Sequence, residues 1–149
     1  MAVSNYPELN FPAIQLRVRR SEGGLLAWDA VRGKYLVLTP EEWVRRHVVE
    51  YLITHCNVPA LSIVEEYPVR LNGTAQRADI VVVDNSLRPK LLVECKQADV
   101  VIDQAVFDQA VRYNSVVGAR YLILTNGIRH YCYEFVDGAY RKLTTWPTL

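Results

Sequence analysis

Two apolar runs, Arg77-Ala-Asp79-Ile-Val-Val-Val-Asp84 and Leu91-Leu-Val-Glu94-Cys-Lys96, carry charges where a buried strand ordinarily carries none. A turn-rich break separates them. Asp79 opens the first run, and Glu94 and Lys96 close the second with one residue between them. Burying an unpartnered charge costs several kcal/mol, so a fold that buries both strands has to bring these side chains together. An aspartate, a glutamate and a lysine sharing one place point to metal-dependent phosphodiester chemistry.

The chain around them is of ordinary globular make-up. With 149 residues, 50% hydrophobic and 22% charged, it is expected to form a single domain over residues 1–149, and its composition excludes disorder. The formal charge is only +1, so any nucleic-acid binding must come from a local basic patch and bound metal. Cys56, Cys95 and Cys132 have no paired spacing and read as reduced thiols rather than a disulfide framework or a zinc site. The N-terminus has neither the basic nor the apolar segment of a signal peptide, and no apolar run approaches the ~20 residues that span a membrane. A cytoplasmic protein with no membrane partner is expected.

Strand-like alternation from Ile14 to Arg20, the turn Ser21-Glu-Gly-Gly24, and runs at 25–28 and 34–38 predict an antiparallel hairpin extension over about residues 12–38. Thr39-Pro40-Glu41-Glu42 then starts a helix, with Thr39 as N-cap, Pro40 in the first turn and Glu42 able to complete a capping box. That helix should run to about Cys56. Strands follow at 62–71, 76–84 and 91–96, the first two joined at Asn72-Gly73. A second helix is predicted over 102–118, then strands at 120–125, 130–136 and 140–144. The order predicts an α/β fold with a mixed central sheet flanked by helices, the second helix crossing over to a parallel strand.

Alternation places Glu94 and Lys96 on one face, about 7 Å apart at ~3.3 Å per residue. If the two apolar strands pair antiparallel, Asp79 lies beside them. Two carboxylates there suit Mg²⁺, with the backbone carbonyl of Cys95 as a further ligand, and Lys96 could orient or deprotonate the attacking water. A structural ion-pair cluster is the competing explanation. On the second helix, Ile102, Ala105, Val106, Ala110, Tyr113, Val116 and Val117 form one stripe, with Gln109 at its centre and Tyr113 four residues on. A core-facing glutamine needs partners, which either a site on the sheet beneath or a strand edge would supply.

Asp79, Glu94-Cys95-Lys96 and Gln109-x-x-x-Tyr113, in that order and on those elements, resemble the PD-(D/E)XK nuclease superfamily, in its RecB-type branch. The likeness is nearest to the N-terminal nuclease domain of type I restriction enzyme R subunits, and covers a core of about residues 36–135. Leu38-Thr-Pro-Glu-Glu-Trp-Val-Arg45, Leu92-Val-Glu-Cys-Lys-Gln97 and Leu124-Thr-Asn-Gly127 fit it as well. One departure is Ala78, where the superfamily's name has proline.

The resemblance implies a restriction-endonuclease-like fold and an Mg²⁺-dependent DNA endonuclease, with Mn²⁺ able to substitute. Asp79 and Glu94 would hold metal, Lys96 would serve the water, and Gln109 and Tyr113 would support the site and the DNA strand. The superfamily often adds a glutamate from the first helix; Glu41, in a Glu-x-x-x-Arg45 pattern, is favoured over Glu42. No Gly-x-x-x-x-Gly-Lys-Ser/Thr pattern occurs, so a separate motor or specificity protein is the expected source of any ATP-driven step. A homodimer paired through the N-terminal hairpin is a further expectation. The rival to all of this is a catalytically silent module that keeps the nuclease fold and binds nucleic acid or protein. His47, His55 and His130 read as packing or surface residues, and Trp28, Trp43 and Trp146 as core or interface. Arg17, Arg19, Arg20, Arg45 and Arg46 read as a solvated face that could serve as a phosphate-binding patch.

Overall fold

The computed structural model describes residues 6–149. Its centre is a six-stranded mixed sheet in simple sequence order: β4 (Ile63–Leu71), β5 (Thr74–Val83), β6 (Pro89–Cys95), β7 (Tyr121–Thr125), β8 (His130–Val136) and β9 (Ala139–Leu143). Every neighbour pair is antiparallel except β6 with β7. Those two are joined by the crossover helix α2 (Gln104–Val117), as the order of runs predicted. The N-terminal extension is more than a hairpin. β1 (Val18–Ser21), β2 (Gly24–Asp29) and β3 (Lys34–Val37) form a separate three-stranded antiparallel sheet. Ile14 to Arg17, expected in the first strand, precede it.

Helix α1 (Pro40–His55) starts where Thr39 accepts the Glu42 N–H at 3.1 Å, with Pro40 in the first turn. The reciprocal half of the expected capping box is replaced: the Glu42 carboxylate takes Arg46 Nε at 3.0 Å and the guanidinium of Arg45. One face of the sheet buries Ile80, Val82, Leu91, Val93 and Cys95 against Val44, Val48, Val49 and Leu52 of α1. The other buries Val81, Val83, Leu92, Leu122 and Leu124 against Ala110 and Tyr113 of α2. The stripe expected on α2 is rotated: Ala105 and Val116 are exposed, while Phe107 and Asn114 turn inward. Asp103 caps that helix through the Val106 N–H, and Gly118 ends it at φ +76°, a left-handed position that glycine takes without steric cost.

Arg45 and Arg46 do not form a solvated face. Arg46 is 1% exposed, and its partners are Asp29 at 2.8 Å, Glu42 and Glu65. The small sheet reaches α1 through Asp29, and the segment before it packs Phe11 against His47 and Tyr51 of the helix. No helix among the described residues is long and apolar enough to cross a membrane.

Candidate active site

The ladder between β5 and β6 pairs Val82 with Leu91, Val81 with Leu92 and Ile80 with Val93, and then stops. The next rung would set Asp79 opposite Glu94. There side chains take over from backbone. The Asp79 N–H donates to Glu94 Oε1 at 3.0 Å, and the Cys95 N–H donates to Asp79 Oδ2 at 2.7 Å. The strand pair opens at this rung and is held by two carboxylates instead of two carbonyls.

A local irregularity explains the opening. Ala78 packs in the cluster under α2, whereas Ile80, two residues on, packs in the cluster under α1. Residues two apart on a regular strand share a face. The facing of β5 therefore switches at Asp79. Opposite it on β4, Glu66 has φ +53° and drops out of a register that pairs Glu65 with Ile80 and Tyr67 with Ala78.

The expected companions are placed as follows. Lys96 is one residue beyond the end of β6, its N–H bonded to the Thr125 carbonyl at 2.9 Å, and its charge favours the ionised forms of Asp79, Glu94 and Glu41. Glu41, exposed in the first turn of α1, has its carboxyl pushed up by burial and then by the charge of Asp79. Glu42 is turned into the ion pairs with Arg45 and Arg46. On α2, Gln109 Nε2 lies 3.1 Å from the Tyr113 hydroxyl, which lies 3.4 Å from Gln76 Oε1 on β5. Burial raises the Tyr113 pKa first, and the charges of Glu94 and Asp79 raise it further. The two halves of the expected set, carboxylates on the sheet and the Gln-Tyr pair on the helix, thus lie within electrostatic reach.

The carboxylates strain against each other. Burial, followed by the charge of Asp79, pushes Glu94 up to about 8, and burial raises Asp79 as well. Among the described residues no three His, Cys, Asp or Glu side chains gather as a closed cation cage. Mg²⁺ does not require one: it is ordinarily held by one or two carboxylates together with waters and phosphate oxygens. Two adjacent carboxyls that cannot comfortably both ionise alone fit such an ion.

A family model, described as type I restriction enzyme R protein N terminus (HSDR_N), matches residues 40–147, well over half of the chain. This chain belongs to that family. Among solved structures, this chain is similar to a fragment assigned as the HsdR subunit of a type I restriction enzyme from Vibrio vulnificus YJ016. The identity is 24% and the TM-score 0.46, over 58% of this chain and 19% of that one. The chain thus spans about a fifth of the solved fragment. No curated protein matches it.

Arg45 is the site residue that sequence reasoning misplaced. Its guanidinium lies 3.9 Å from both Asp79 Oδ1 and Glu66 Oε1, and pairs with Glu42. Burial works against its charge, but the bond to Glu42 and the fields of Glu42 and Asp79 outweigh that and raise its pKa. The Glu41-x-x-x-Arg45 spacing carried the signal, since it puts Arg45 on the same helical face as Glu41. Gln76 had no signal, because only the folded sheet brings it under Tyr113.

Proposed function

We propose that this domain hydrolyses DNA phosphodiesters with Mg²⁺, as a restriction-endonuclease-like member of the PD-(D/E)XK superfamily. The observation that carries the reading is the open rung, where Asp79 and Glu94 meet with Lys96 one position past the strand end. Asp79 and Glu94 would hold the ion, with the Cys95 carbonyl and Glu41 as further donors, and Mn²⁺ would substitute. When bound there, the cation supplies Lewis-acid chemistry at the phosphate. Lys96 offers an amine to hold the attacking water and offset charge that develops on the phosphate. Gln109 fixes the Tyr113 hydroxyl, and the pair supports the DNA strand from the α2 side.

Membership of the R-protein N-terminal family supports a place in a restriction system, with DNA as substrate, motor or specificity subunits as partners and the cytoplasm as location. A second copy could supply the cut on the opposite strand. A second reading, a catalytically silent module that binds nucleic acid or protein, is favoured by a different observation. Each carboxylate already accepts a backbone N–H, and Arg45 lies near Asp79, so the cluster satisfies much of its own need.

Nicking of supercoiled plasmid separates the two. The expected outcome is strand cleavage that needs Mg²⁺ or Mn²⁺ and falls at least about a hundredfold in Asp79→Ala and Lys96→Ala, the scale of losing a general catalyst or charge stabiliser. Cleavage indifferent to both substitutions removes the catalytic assignment.

A further inference from the structure

Arg32, Arg45, Arg46, Arg77, Arg120 and Arg141 all pair with carboxylates. Among the described residues the other arginines form no such ion pair, and of these Arg17 and Arg19 are set apart by their surroundings. Each lies over an aromatic ring, Arg17 at 5.1 Å from the Trp28 centroid and Arg19 at 4.3 Å from that of Tyr35.

Register explains the arrangement. β1 and β2 pair Arg19 with Leu26, the Trp28 N–H donates to the Arg17 carbonyl at 2.8 Å, and β2 and β3 pair Trp28 with Tyr35 and Leu26 with Val37. Alternation puts all six side chains on one face of the small sheet. The opposite face carries Ala27 and Asp29, both buried, and Asp29 meets Arg46 of α1. The first face is therefore the outer one: Val37 on it is 64% exposed, and no acidic residue alternates onto it.

A guanidinium stacked on a ring keeps its in-plane N–H donors free, and the ring fixes its position so that less side-chain freedom is lost when an anion binds. Two such groups, on residues two apart in the chain, face solvent without an acid to quench them. With a net charge of +1, the chain has no general field to draw a polyanion, so a local cationic face has to do it. The face is also linked to the Asp79–Glu94 site. Beyond the Trp28–Tyr35 pair, the β2–β3 turn carries Arg32, which pairs with Glu66 at 3.0 Å, and Glu66 also lies 3.9 Å from the Arg45 that neighbours Asp79.

We propose that the outer face of the N-terminal sheet is a docking surface for the DNA backbone, on which Arg17 and Arg19 contact phosphates next to the strand that reaches the Asp79–Glu94 site. This rests on the DNA-directed function proposed above and assigns part of the DNA path. Trp28 and Tyr35 position the two guanidiniums.

The test is fluorescence anisotropy of a labelled DNA duplex with the whole chain, in chelator so that no cleavage intervenes, over a range of salt. Arg17→Gln with Arg19→Gln is expected to weaken binding at least about tenfold. It should also reduce the slope of log affinity against log salt by about 2, since each neutralised phosphate contributes ~0.9 to that slope. Arg88→Gln with Arg112→Gln, the same charge change elsewhere, is expected to leave that slope within about half a unit of the parent. Arg17→Lys with Arg19→Lys should recover most of the slope. Unchanged melting temperatures exclude misfolding, and the lysine pair decides the matter if the glutamine pair melts early. Equal losses from the two glutamine pairs, no loss from the first, or no binding by the parent chain overturns the proposal. Plasmid nicking unaffected by Asp79→Ala would overturn the catalytic reading alone. Anisotropy unaffected at Arg17 and Arg19 would overturn this one alone.

Discussion

Glu94 is where the proposed chemistry and folding would compete for one side chain. Its carboxyl, ordinarily near 4.5, is held at about 8 by burial and by Asp79, so the folded domain prefers it protonated while the unfolded chain ionises it readily. A raised carboxyl pKa contributes stability that is complete below the unfolded value, about 4.5, and is lost as pH climbs to about 8. In chelator, then, the parent domain should lose melting temperature through that window. Glu94→Gln, which stays neutral and can still accept the Asp79 N–H, should lose less and at pH 8.5 should melt at least about 3 °C higher. Adding Mg²⁺ at that pH should raise the parent's melting temperature, since a ligand that binds only the folded state stabilises it by mass action, and leave Glu94→Gln nearly unmoved. Differential scanning fluorimetry across pH checks both. Parallel pH profiles for the two proteins would show that Glu94 does not carry the linkage. Arg45 is the counterweight in this picture, a fixed cation that makes the Asp79 charge tolerable.

Among the elements, the turn between β7 and β8 shows how tightly the N-terminal segment is tied in. Asn126 Oδ1 accepts the Ile128 and Arg129 N–H groups, its Nδ2 donates to the Val100 carbonyl, and the Gly127 carbonyl accepts the Asn10 N–H at 2.8 Å. Gly127 has φ +86°, and a Cβ there would meet Leu9 Cδ2 at 2.8 Å. Gly127→Ala should therefore cost about 1–3 kcal/mol, from a strained backbone and a displaced leucine, with denaturant melts as the readout. A loss under about 0.5 kcal/mol would mean that the segment carrying Leu9 is loosely held. None of this strap was legible beforehand, because a leucine among prolines and polar residues has no periodicity to read. The regular elements were. Thr39-Pro40 fixes the start of α1 locally, Asn72-Gly73 fixes the β4–β5 turn, and the apolar runs of β6 and β7 mark buried parallel strands. The approach of Asp79 to Glu94 was legible on the condition that the two apolar strands pair antiparallel, which they do. What sequence could not supply was the second layer on α1. Val44, Val48 and Leu52 announce one buried flank, but Arg46 reads as solvent-facing until a separate sheet with Asp29 closes over it. The rotation of α2 has a similar origin, since Asn114 is drawn inward by bonds to the Ala119 backbone and the Tyr140 hydroxyl that no helical period encodes.

At the scale of the whole molecule, the two sheets are joined by buried charge. Arg46 reaches Asp29 in the small sheet, Glu42 on its own helix and Glu65 in the large sheet. Removing one member of such a set strands the others, which costs about 3–5 kcal/mol. Arg46→Ala is expected to lower stability by that amount in urea melts and to loosen the small sheet, seen as faster amide exchange at Ala27 and Leu36, which pair across β2 and β3. Loss of stability with unchanged exchange there would mean that the sheets hold together by other contacts. The same set of charges has a consequence for how distant parts of the protein sense each other. Glu42 is shared by Arg46, anchored in the small sheet, and by Arg45, which faces Asp79. A cation arriving at Asp79 would compete with Arg45 for that carboxylate, Arg45 would then lean more heavily on Glu42, and Glu42 would loosen its hold on Arg46. A cation at Asp79 and the seating of the outlying sheet would thus be two ends of one tether, with a single glutamate as the knot.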